Sequence, residues 1–308
     1  MSTIPVDTEQ CLGLLRRWLP GKASDLEQVL NGLRPALTVR IETQEPGILF
    51  QADSATNTIT LGAECSRRLE AHAYAAAVLA GAHSTPTRSG LSEEQVARAD
   101  EIASTLLTWA VSRDLQQRLP ANGCRAGPGQ VMQRGEQDLP PGILNGLTIE
   151  LRAEGRGLFE LAFVFIFLHE IAHLHFRHTK CEGEISWEQE RQADHFAAEW
   201  MVTAAGGEVR QLQCLLGIAV ALLWLAVFNA FLGPSRGERH PQAYDRLFQT
   251  LNACIGDDPV DNFIVWGLVA KSLYVHLDTA GIKLGQLPSD PKDLANHLID
   301  IISRQCSR

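Results

Sequence analysis

A chain of 308 residues with 45% hydrophobic and 20% charged side chains, and a mean hydropathy near −0.05, is neither disordered nor fibrous, and it is long enough to bury a large core unaided. Its seven cysteines are odd in number and form no C-x-x-C pair, which speaks against a disulfide framework or a cysteine-type zinc site and for a reducing compartment. A formal net charge of −9 excludes a general electrostatic pull toward nucleic acid, and no secretory h-region precedes a cleavage site, so a cytoplasmic location is expected.

Residues 1–36 read as one or two short helices punctuated by Pro20-Gly21. LTVRIET (37–43), ILFQA (48–52) and NTITLG (57–62) alternate apolar with polar residues or are rich in β-branched ones, with Glu45-Pro46-Gly47 and Asp53-Ser54 between them. They predict a small antiparallel sheet. Helical patterns follow over about 63–82 and 92–119, the second capped by Ser92. From Pro120 to Gly146 the density of Gly and Pro allows no regular element, and this loop reads either as a linker or as a lid. GLTIELRA (146–153) reads as a strand, and a strongly apolar helix is predicted from about Gly157 to His178. Further helices are expected from Ser186, over 208–232, 242–255 and 261–277, and over 291–304 with Asp290 as cap and Pro291 in first position. The fold class is α+β and mainly helical. Its four stretches are 1–120 (helices and sheet), 121–147 (loop), 148–256 (the core bearing the motif below) and 257–308 (closing helices), expected to form one unit.

The chemistry is concentrated in FVFIFLHEIAHLHFRH. His169 and His173, four residues apart on an uninterrupted helix, share one face and can both address one metal ion, while Glu170 projects beside them, placed to take a proton from a water on that ion. The next helix opens with Ser186-Trp187-Glu188-Gln189, an S-x-x-Q capping box, and continues Glu190-Arg191-Gln192-Ala193-Asp194. Glu190 can supply the third ligand of a His₂Glu zinc site, leaving a position for water. Asp194, one turn on, can accept the second N–H of a ligating histidine. A metzincin would need Gly at 176 and His at 179, where this chain has Phe176 and Thr179. His175, His178 and His195 read as surface or packing residues, and Trp187, Trp200 and Trp224 as core or rim aromatics.

The pair of motifs, HEIAH followed by Glu190-x-x-Ala193-Asp194, resembles the gluzincin metallopeptidases, which have a zincin-like core with a small sheet beside the HExxH helix. HEIAHLHFRH with Arg239-His240-Pro241 and Arg246-Leu247 is similar to the HtpX-type membrane-bound group. The short spacing between His173 and Glu190, together with ERQADHFAAEW, looks more like the Lit-type phage-exclusion proteases or the ImmA/IrrE metallopeptidases that cleave regulators. The resemblance implies a zinc endopeptidase, with Zn²⁺ on His169, His173 and Glu190, Glu170 as general base, and His240 and Arg246 contacting substrate or the oxyanion. It further implies an intracellular protein or peptide substrate.

From Gln211 to Pro234 no residue is charged, and the segment is long enough for a membrane span. A single crossing would separate Asp194 from His240, so a buried central helix is the preferred reading and loose membrane association the alternative.

Overall fold

The structure, a computed structural model, describes residues 7–33, 35–43, 50–83, 92–118, 147–178, 187–232, 243–256, 258–279 and 281–306. The loop predicted over 120–146, the Glu45-Pro46-Gly47 turn, Ser186 of the predicted capping box and the Arg239-His240-Pro241 segment all lie outside the described residues.

Helices α1 (Thr8–Trp18) and α2 (Ala23–Gly32) flank a short turn at Pro20–Lys22. Strands β1 (Thr38–Glu42), β2 (Phe50–Asp53) and β3 (Thr58–Gly62) follow. The remaining helices are α3 (Ala63–His83), α4 (Glu93–Arg118), α5 (Ile149–His175), α6 (Trp187–Thr203), α7 (Glu208–Leu232), α8 (Ala243–Ile255), α9 (Pro259–Thr279) and α10 (Pro291–Cys306). The α+β, mainly helical class expected from the sequence is therefore observed.

The caps are those that short polar side chains provide. Ser92 and Gln95 form a reciprocal box at the start of α4, Ser92 Oγ accepting from the Gln95 amide and Gln95 Oε1 from the Ser92 amide. Asp290 accepts from the amides of Lys292 and Asp293 ahead of α10.

Two sequence expectations are corrected. The sheet is mixed: its order is β1-β3-β2, with β1 parallel and β2 antiparallel to β3. Alternation of apolar residues encodes which face of a strand is buried but not the direction of its neighbour. The tight link that does specify pairing joins β2 to β3, where Asp53 Oδ1 accepts from the Ala55 amide, Asp53 Oδ2 accepts from Thr56 Oγ1, and Asn57 takes a left-handed conformation at φ 48°. The second correction concerns GLTIELRA, which is no strand. Thr148 is the N-cap of α5, its hydroxyl accepting from the Leu151 amide, and Ile149, whose β-branching suggested a strand, is 72% exposed on the first turn.

Helix α5 is the axis of the molecule. Nearly every side chain from Leu158 to Leu174 is buried, against α3 on one side, α6 and α7 on others, and β2 across its C-terminal half. Phe50 of β2 meets both Phe163 of α5 and Trp224 of α7 edge to face, at centroid distances of 5.9 and 6.0 Å, which docks the short sheet onto the helical layer. By length and composition α5 and α7 could each cross a membrane, but their most apolar windows are 89% and 61% buried by protein. In α7 the buried residues run from Cys214 to Val227, packed on α5, α8, α3 and α9.

Gly217 sets the approach of α7 to α5. A Cβ there would stand 2.5 Å from Leu161 Cβ and 3.1 Å from the Leu161 carbonyl carbon, a backbone atom that a rotamer change does not move. Gly217→Ala is expected to destabilise the protein by about 1–3 kcal/mol despite the better helix propensity of alanine, read as a lower denaturation midpoint at unchanged slope. An unaltered midpoint would mean that the helices separate freely at this crossing.

Candidate metal centre

The site is built where α5 ends, α6 begins and α8 crosses behind them. On α5, the i, i+4 spacing places His169 Nε2 and His173 Nε2 3.0 Å apart, with the two rings nearly perpendicular. From α6, Glu190 brings Oε2 to 3.4 Å from His169 Nε2 and Oε1 to 3.8 Å from His173 Nε2. All three side chains are buried, and among the described residues they form the one group of three such donors able to share an ion. Ligand–ligand edges of a tetrahedral zinc with bonds of about 2.0–2.2 Å are about 3.3–3.6 Å long, close to the separations of this donor set, which therefore fits an ion of that size. Leaving two imidazole nitrogens and a carboxylate facing one another in a dry interior is otherwise costly.

Glu170 lies beside this group, 7% exposed, with its carboxylate accepting a hydrogen bond from the Ala52 amide of β2. Burial pushes its pKa up to about 7 and the neighbouring Glu190 adds to the rise, against the opposing pull of His169. The carboxyl group is therefore poised near neutrality, the range in which a group can take and return a proton.

Asp194 sits one turn below Glu190 on α6, with Oδ1 2.9 Å from His169 Nδ1, though the ring N–H is not well aligned on that oxygen. Burial works against a charged His169, yet Asp194 and then Glu190 outweigh it and raise its pKa to about 10; for His173, burial and the adjoining His169 lower it to about 3. The two carboxylates are held by Arg246 of α8. Its Nε and Nη2 bond Asp194 Oδ2 and Oδ1 at 2.7 and 2.8 Å, and its Nη1 reaches Glu190 Oε2 at 2.7 Å. Burial disfavours both anions, but the guanidinium, followed by the histidines, lowers the pKa of Asp194 and holds Glu190 well below the usual carboxylate range. The resemblance placed Arg246 on substrate or oxyanion; the structure finds three of its donors on the two acidic residues of α6. His240 lies outside the described residues.

One residue read in the sequence as surface or packing proves to be neither surface nor isolated. His178 is 8% exposed, and its Nδ1 lies 2.8 Å from His173 Nδ1 while its Nε2 lies 2.9 Å from Gln192 Oε1. Helix α5 stops at His175 instead of running to His178, because Arg177 turns left-handed at φ 51°. The Arg177 amide then donates to Leu174 O and the His178 amide to His173 O, the two bonds of a Schellman ending. No glycine announces this turn, so the sequence carries no signal of it. His175 and His195 are exposed, as expected.

An imidazole pair and a carboxylate thus converge from two helices as a donor set that could hold a metal ion, with a second carboxylate beside them. Comparison with known proteins points to a peptidase. Residues 141–268 match the family described as Peptidase U49. The chain is also 28% identical over 151 residues to the cell death peptidase of Escherichia coli (strain K12), a segment covering 48% of this chain and 46% of that protein. The chain thus spans about half the length of the curated relative it matches. The resemblance carried by HEIAH and ERQADHFAAEW is accordingly supported over the segment that holds every residue of the site except Ala52. No solved structure matches.

Proposed function

We propose that the protein is a zinc-dependent endopeptidase of gluzincin type. The observation that carries this is the convergence of His169, His173 and Glu190 at tetrahedral-edge distances with Glu170 buried beside them. Among the described residues the site has three protein donors, where a structural zinc site has four, which favours a catalytic site over a structural one. A zinc ion held there would acidify a water and polarise the scissile carbonyl.

The remaining work falls to the chain. Glu170, anchored by the Ala52 amide, accepts the proton of the attacking water and returns it to the leaving amine. Asp194 orients His169, and Arg246 holds Asp194 and Glu190 in register. The oxyanion role implied by the resemblance falls to His240. Strand β2 is an edge of the sheet and borders Glu170, so an extended peptide added along it would pass the site. The motif resemblance to Lit-type proteases makes an intracellular protein the substrate and the cytoplasm the setting, in a phage-defence or regulatory role, and the likeness to a cell death peptidase is in keeping with a peptidase.

Metal removal tests the reading. The purified chain is expected to hold one zinc per molecule. Cleavage, followed as new protein termini in a lysate, should stop on chelation and return with added zinc. Cleavage that persists without metal would overturn it.

A further inference from the structure

We propose that His178 is a positioning residue for His173, fixing the tautomer and ring plane in which His173 offers Nε2 to the metal; this rests on the metal-site reading above. The direction of the relay follows from its far end. Gln192 Oε1 is a carbonyl oxygen and can only accept, so His178 Nε2 carries the hydrogen of that bond. Of the two ring nitrogens that face each other at 2.8 Å one must donate and one accept, and with its hydrogen on Nε2 His178 accepts at Nδ1 from His173 Nδ1–H. One hydrogen on Nδ1 leaves the lone pair of His173 on Nε2, the nitrogen that lies 3.0 Å from His169 Nε2 and faces Glu190.

Three further features hold the relay in place. The Schellman ending returns His178 to the turn that His173 begins, tying its backbone amide to His173 O while its ring meets the ring of His173. Ser54, in the turn after β2, donates to the His178 carbonyl at 3.2 Å. Gln192 sits on α6 between Glu190 and Asp194, so the relay links the histidine helix to the carboxylate helix. The two ligand histidines are thus supported differently, His169 by the carboxylate of Asp194 and His173 by a third imidazole. Such partners typically govern metal affinity by 10- to 100-fold.

The test uses the full chain stripped of metal, with zinc affinity measured by competition against a chromophoric chelator, and Co²⁺ absorption reporting ligand geometry. His178→Phe keeps a ring but removes the acceptor, and should weaken zinc binding about 10- to 100-fold and alter the cobalt spectrum. His178→Asn supplies an acceptor oxygen near the Nδ1 position, and should recover most of the affinity and the wild-type spectrum. Gln192→Leu changes only an exposed side chain at the far end of the relay, and should weaken zinc several-fold with the melting temperature unchanged; it keeps the proposal testable if His178→Phe does not fold. Equal zinc affinity and cobalt spectra in wild type, His178→Phe and Gln192→Leu would overturn the proposal alone. So would an Asn variant as impaired as the Phe variant, which would leave His178 a packing role. Failure of the wild type itself to bind zinc would overturn the metal-site reading and this proposal together.

Discussion

Glu170→Gln is expected to retain zinc and to lose cleavage, by a factor of about 10²–10⁴ or more. Glutamine keeps the shape of the side chain and an acceptor for the Ala52 amide, but it cannot take a proton. A stability signature accompanies this loss. The folded pKa of Glu170 lies above its unfolded value, so the folded state holds the extra proton between about pH 4.5 and 7, and stability declines as pH rises through that window. Removing the titrating group should therefore make the metal-free Gln variant more stable than wild type at pH 8, by an amount of order 1 kcal/mol, with the difference vanishing toward pH 4.5. Urea melts of both apoproteins at the two pH values measure it. Full cleavage activity in the variant would remove Glu170 from the chemistry.

The largest effect on stability is expected at Arg246. Its guanidinium is buried and satisfies Asp194 with two bonds and Glu190 with one. Arg246→Met leaves two buried carboxylates without their counter-charge, a loss of about 3–5 kcal/mol where one partner of a buried ion pair is removed. The carboxylates would answer by taking up protons, which withdraws Glu190 as a ligand. Zinc affinity should therefore fall in parallel. Arg246→Lys should not restore the wild type, because one ammonium cannot span two carboxylates in the bidentate geometry. Added zinc should reduce the deficit, since the ion gives Glu190 a second counter-charge. Denaturant midpoints with and without zinc, for wild type and both variants, measure these effects. A Met variant within 1 kcal/mol of wild type would show that water reaches the carboxylates and that the ion pair contributes little.

The stability term at Glu170 and that at Arg246 have opposite signs, and the same low-dielectric interior causes both. Burial that raises the pKa of an unpaired carboxyl makes a base poised near neutrality. Burial around a fully paired one makes a rigid support. Which outcome follows depends on whether a cation is in direct contact, and Arg246, 52 positions beyond Asp194, pairs with Glu190 and Asp194, while it and His169 act on Glu170 only from a distance.

The sequence by itself determined what is local and periodic. The apolar run without Pro or Gly around HEIAH dictated a buried helix, and the i, i+4 spacings dictated that His169 with His173, and Glu190 with Asp194, share faces. A side-chain period is a property of one segment, so it can be read from one segment. The breaker-rich and β-branched stretches likewise located the strands to within a few residues, though GLTIELRA shows that β-branching at a capped helix start imitates a strand. Tertiary structure decided the rest. Strand direction depends on which edge of β3 the chain reaches, the location of Arg246 on Glu190 and Asp194 depends on α8 crossing α6, and the recruitment of His178 depends on where α5 stops. Each of these joins residues through space by hydrogen bonds and charge, and no period along the chain records such contacts. His169, His173 and Glu190 were legible as donors because helix geometry brings the first two together, whereas the partners that fix their charge and orientation became visible only once the helices were packed.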